Sequence, residues 1–247
     1  MNSPLANIKT IAKRELGGYF SSPVAYVFIV IFLLLSGFFT FMVGGFFERG
    51  EASLTSFFMW HPWFYLFLVP AVGMRLWAEE RRVGTLELLF TMPVTPWQAI
   101  VGKFLASWTF LALALFLTFP LVFTVNHLGD PDNGVIFAGY VGSLMMAGAY
   151  LAIACMTSAL TRNQVVSFII AVVLCLFLIL AGFPPVTNLL AQWSATLVDI
   201  VASFSFITHF EGFQKGVLDS RDVIFFLSVI GFSLFTTGVI LRGHRAG

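Results

Sequence analysis

Long apolar segments with almost no charge inside them constrain this chain more than any other feature. The stretches 24–47, 57–77, 104–125, 136–160, 165–183 and 223–241 contain a single Asp, Glu, Lys or Arg between them, Arg75. Each is close to the ~20 residues that an α-helix needs to cross the hydrocarbon of a bilayer. Apolar residues make up 59% of the chain and charged ones 10%, against about 25% charged in soluble domains. The mean hydropathy of +0.94 agrees. The expected fold is therefore an all-α integral membrane protein of six transmembrane helices, with little chain left for a separate soluble domain. The net charge of +1 resides in loops and forms no basic stripe, so a nucleic-acid partner is not expected.

One polar island of size interrupts this pattern, between Arg75 and Lys103. Glu79, Glu80, Arg81 and Arg82 are consecutive. At the bilayer centre such residues cost roughly 2.5–3.5 kcal/mol each, about 10–14 kcal/mol together, so the island lies in water. Gly84 breaks the preceding helix, and Thr85 to Phe90 predicts one or two helical turns on which Leu86, Leu89 and Phe90 share a face. Pro93 ends it. Thr95, Pro96 and Gln98 then have the form of a new helix start, with a capping residue, a first-turn proline and a glutamine three positions on. The stretch 78–103 predicts a shaped projection on one side of the membrane.

Ahead of the first span, residues 3–20 predict a helix lying in the membrane surface. Leu5, Ile8, Ala12, Leu16 and Tyr19 recur at helical spacing, with Lys9, Lys13 and Arg14 opposite, facing anionic headgroups; an ordinary solvated helix is the alternative. A cleaved secretory signal is not expected, because the first apolar run is longer than such signals use and lacks a small-x-small cleavage site. Pro70 should kink the second span, and His61 near its start reads as an interfacial hydrogen-bonding residue ahead of a ligand. In the fourth span Gly139, Ser143 and Ala147 are four apart, as are Gly148 and Ala152, a spacing that lets helices approach closely in lipid. Residues 184–222 are too apolar for a plain loop and too broken for a span, and predict one or two short re-entrant or interfacial helices. Within them His209 and Glu211 are read as shaping a turn, and Asp219 and Asp222 as suited to the N-terminus of the last helix. Cys155 and Cys175 lie inside apolar runs and read as packing residues.

Six spans place both termini on one side. That side holds ten of the Lys and Arg residues, the other only Arg49, Lys215 and Arg221. The positive-inside rule makes the termini and the 78–103 projection cytoplasmic.

The spans contain almost no ionisable residues, whereas ion-coupled carriers, pumps and intramembrane proteases usually keep charged or catalytic groups at membrane depth. No catalytic constellation and no metal-ligand spacing is evident. Gly102-Lys103 is not a phosphate loop, since position 97 is Trp where glycine is needed and position 104 is Phe where Ser or Thr is needed. The chain reads as a non-enzyme whose energy arrives from outside.

The run Ala78, Glu79, Glu80, Arg81, Arg82, Gly84, Thr85, Leu86, Glu87, Leu88, Leu89, with Pro93, Gly102 and Lys103 following, resembles the cytoplasmic motif of ABC-2 type transporter permeases. The span plan resembles that family over essentially the whole chain. The segment 208–223, with His209, Glu211, Asp219 and Asp222, resembles the subgroup linked to gliding motility and to copper-site assembly of nitrous oxide reductase. The resemblance implies a type V exporter-like half-transporter of a bacterial inner membrane. Two permease chains, identical or related, would pair, each docking a separate ABC ATPase that holds ATP and Mg; this chain itself would carry no cofactor. Thr85 to Met92 would be the coupling helix. Leu86, Leu89 and Phe90 would supply its buried contact, and Glu79, Glu80, Arg81, Arg82 and Glu87 its charge pairs. The second and fifth spans of the family line the dimer axis, which makes Phe64, Phe67, Phe168 and Phe177 pathway candidates, with ordinary core or lipid contact as the alternative. The 184–222 region would be external, and an auxiliary membrane protein with a large external domain is a further implied partner. The alternative to a permease is a non-transporting subunit that passes ATPase motion to an external partner.

Overall fold

A computed structural model of the chain describes residues 3–50, 52–86, 94–192 and 194–243. Every regular element among them is helical. The projection residues Glu87, Leu88, Leu89, Phe90 and Pro93, together with Glu51 and Trp193, lie outside the described residues.

Local capping chemistry places many of the helix starts. Helix α1, Pro4–Phe20, begins at Ser3, whose hydroxyl accepts from the Ala6 amide. Helix α2, Pro23–Phe38, begins at Ser22 and runs on through a wider π turn, Phe39–Val43, and a short helix α3, Phe46–Arg49. The chain then forms α4, Thr55–Met59, α5, His61–Gly73, and α6, Arg75–Val83. Helix α7, Pro96–Phe116, starts in a complete capping box: Thr95 accepts from the Gln98 amide and Gln98 from the Thr95 amide. Helix α8, Pro120–Leu128, extends it. Asp132 caps α9, Asn133–Leu160, and Asn163 caps α10, Gln164–Leu180. Three short helices follow, α11, Pro184–Ala191, α12, Ala195–Ala202, and α13, Phe206–Gln214, before α14, Ser220–Gly243.

Among the described residues four segments are long and apolar enough to cross a membrane: Pro23–Arg49, Pro96–Leu128, Asn133–Leu160 and Ser220–Gly243. Gln164–Leu180 and Pro184–Ala191, bent by 60°, make a fifth if they form one span. The expected second span, 57–77, is divided among α4, α5 and α6. The proline expected to kink it, Pro70, lies inside α5, which continues to Gly73. The break falls at Met74 instead, where the backbone comes up against α9.

Helix α9 is the centre of the molecule. Of its most apolar stretch 72% is buried, against 28%, 39% and 22% for the other three candidates. Small residues make this possible. A methyl at Gly142 would collide with Phe213 of α13, one at Gly139 with Phe58 of α4, and one at Gly148 would crowd Trp108 of α7 and Ile230 of α14. Close approach of this kind replaces the hydrophobic drive that lipid cannot supply. Residues 184–214 form three short helices where one or two were expected, and the expected turn at 209–216 is mostly helix α13.

Helix α1 packs along α7 through Gly102, where an added methyl would meet Ile11 at 2.8 Å. Ile11, absent from the expected apolar stripe, is the most buried residue of α1, whereas Leu5 is exposed.

Candidate functional site

The projection is rooted in the protein at both of its ends. On the α6 side the root is Ser158 of α9. Its hydroxyl donates to the Met74 carbonyl at 2.7 Å and accepts from the amides of Trp77 and Ala78 at 3.0 Å each. The first turn of a helix leaves amides without partners, and here another helix supplies the acceptor. Trp77 is fully buried and its indole donates to the Cys155 sulfur at 3.2 Å. Near the end of α6 the Arg81 guanidinium donates to the Ala159 carbonyl at 2.6 Å. Burial, and then the charge of Arg162, push that guanidinium below its ordinary range.

On the α7 side the root is Lys103, only 4% exposed. Its ammonium lies 2.8 Å from Glu80 Oε1 and 3.4 Å from Glu15 Oε2, and 5.3 Å from the centre of the Trp77 ring. One side chain thus ties α1, α6 and α7 together. Beside it Tyr19 bonds Ser107 at 2.8 Å and stacks on Phe110, and burial, opposed by the Ser107 bond, pushes its phenol up to about 12.

Between these roots the chain turns at Gly84, whose φ of +79° is a left-handed conformation that favours glycine. The backbone is helical again at Thr85 and Leu86.

The four consecutive charges therefore divide. Glu80 and Arg81 are engaged within the chain. Glu79 and Arg82 form a 3.6 Å pair on the surface. Leu86, also expected on a docking face, is 8% exposed and belongs to the chain's own core. Among the pathway candidates Phe64 is a core residue, 5.2 Å from Phe39 ring to ring. Phe168 is half-buried, and Phe67 and Phe177 are exposed.

At the other end of the bundle His209 and Asp222 meet, Nδ1 to Oδ1 at 2.7 Å, with His209 Nε2 3.0 Å from the Ser203 carbonyl and its ring stacked on Phe225. Its two ring nitrogens thus tie α13 to the first turn of α14 and to the backbone that precedes α13. Glu211 and Asp219 are not part of this pair: Glu211 meets Lys215 on the surface, and Asp219 accepts from the Arg221 amide. His61, expected at an interface, is fully buried between α5 and α9 and bonds Ser143 at 2.8 Å, which in turn bonds Tyr65 at 2.7 Å. No group of three or more His, Cys, Asp or Glu among the described residues has the geometry of a metal site.

The sequence reading missed Ser158, Glu15 and Cys155. No local signal marks the two α9 residues. A carboxylate on an otherwise basic helix was the signal available for Glu15.

Residues 39–210, more than half of the chain, match the family model described as ABC-2 family transporter protein. No curated protein matches the chain. A helical bundle with several apolar crossing segments and a polar projection rooted at both ends is in keeping with that match, and the chain belongs to the ABC-2 family transporter proteins as a multi-pass membrane permease subunit of an ABC transporter.

Proposed function

We propose that this chain is the permease half of an exporter driven by a separate ATPase subunit gripping residues 85–92. Two permease chains pair and each engages one ATPase, which holds the ATP and Mg. The six-span plan is completed by α4 to α6 acting as a broken second span and by α10 as the fifth. Both termini and the projection then face the cytoplasm of a bacterial inner membrane, and α11 to α13 face outward. Affiliation with the gliding-motility and nitrous-oxide-reductase subgroup, with an auxiliary external partner, belongs to the same proposal.

The observation that carries it is the double root of the projection. A segment meant to receive force must pass it on, and a slack loop would absorb it. Here one end is held to α9 by Ser158 and Arg81, the other to α1 and α6 by Lys103. Glu79, Arg82 and Val83 remain on the outside of α6.

Leu89→Arg and Glu87→Arg test the grip. Both variants should insert in the membrane as the parent does and lose the ATPase in an affinity pull-down in mild detergent. Full recovery of the ATPase with both would overturn the docking role.

A further inference from the structure

A pocket of about 240 Å³ opens between α1, α6 and α7. Its wall includes Glu15, Tyr19, Arg75, Glu79, Glu80 and Lys103. Two polar atoms of this wall are buried and without a hydrogen-bond partner, Arg75 Nε and Glu80 Oε2. The first is a cationic donor and the second an anionic acceptor, and leaving either unmet is costly. Arg75 lies 6.0 Å over the Tyr19 ring. Lys103 already spans Glu80 Oε1 and Glu15 Oε2, which leaves Glu80 Oε2 unanswered.

A single group that satisfies both atoms brings an oxyanion and a cationic N–H donor on one short skeleton. A phosphate matches the planar guanidinium. A primary ammonium matches the carboxylate oxygen. The wall holds three carboxylates and two cations, with Arg14 and Arg82 pairing Glu15 and Glu79 at the rim. A bare phosphate would leave Glu80 Oε2 without a donor, which the ammonium of a zwitterion supplies. The pocket also reaches Gly18 and Ser22, and Ser22 immediately precedes the first apolar helix. That is the level at which lipid headgroups lie.

We propose that this pocket binds a phosphoethanolamine group, its phosphate on Arg75 and its ammonium on Glu80. The group arrives either as the headgroup of an ethanolamine phospholipid or as a soluble phosphomonoester. The inference is independent of ATPase docking.

Native mass spectrometry of the delipidated full chain tests it, with phosphatidylethanolamine, phosphatidylcholine and phosphatidylglycerol of matched acyl chains as probes. Phosphatidylethanolamine should bind about tenfold more tightly than the other two, a difference that E80Q should remove, whereas R75Q should weaken all three, since each carries the phosphate. Choline has no N–H to donate and glycerol no charge, so those two lipids should be indifferent to E80Q. Displacement of the bound lipid by soluble O-phosphoethanolamine would assign the site to the free phosphomonoester, and failure to displace it would assign it to the lipid. Equal binding of the three lipids by the unsubstituted protein would overturn the proposal, and that arm does not depend on either variant folding. So would full selectivity in E80Q, or unchanged binding of all three lipids by R75Q.

Discussion

Lys103 shows how much a single position decides here. A 4% exposed ammonium is tolerable because two carboxylates from two other helices reach it. Lys103→Met would strand Glu80 and leave Glu15 with Arg14 alone. Removing one partner of a buried pair costs about 3–5 kcal/mol, and these carboxylates keep some exposure, which places the cost near the lower end. SDS-titrated unfolding should show that loss, and Lys103→Met combined with Glu80→Gln should recover part of it. A double variant no more stable than the single one would mean that Glu80 gains nothing from the ammonium. The knot also marks the boundary of what the amino-acid order reveals. Glu15, Glu80 and Lys103 are tens of positions apart, and no periodicity announces that they meet. The same holds for Ser158 and the amides of Trp77 and Ala78, some eighty residues away.

At the scale of elements, starts and stops follow from nearest neighbours. Ser3, Thr95 with Gln98, Asp132 and Asn163 cap helices as their chemistry dictates, because capping involves residues three or fewer positions apart. Gly84 ends α6 for an equally local reason. Among the described residues nothing lies within 4 Å of where its Cβ would be, so Gly84→Ala meets only the backbone penalty of positive φ, roughly 1 kcal/mol. Gly142 is the opposite case: its φ is ordinary and its space is filled by Phe213. Gly142→Leu should therefore push α13 from α9 and shift the detergent-solubilised protein toward aggregate on size exclusion, while Gly84→Ala leaves the elution profile unchanged. Which side of a helix meets protein was less legible. The i, i+3, i+4 spacing correctly groups apolar positions, but it does not say whether the group faces a partner or the chain itself. Leu86 faces the chain itself.

For the whole molecule, composition was the strongest guide. Low charge and long apolar runs pointed to a helical membrane protein, and the family match agrees. The count of spans was harder to read, because hydropathy registers the apolar stretch 57–77 but not the breaks that divide it into three helices. Sidedness is open to a direct experiment. Val83 and Val217 are both exposed, and the native Cys155 and Cys175 are buried, so they give little background. On intact spheroplasts a membrane-impermeant maleimide should label Val217→Cys and spare Val83→Cys. The reverse pattern would invert the orientation and remove residues 85–92 from the reach of a cytoplasmic motor.

The Ser158 hydroxyl has one proton to give and two lone pairs to offer, and all three are occupied. It has no spare capacity with which to follow a sliding α6. A small displacement of that helix would strain both amide contacts together, and neither can lengthen far before it ceases to be a bond. A shift of α6 past α9 therefore costs both amide contacts at once.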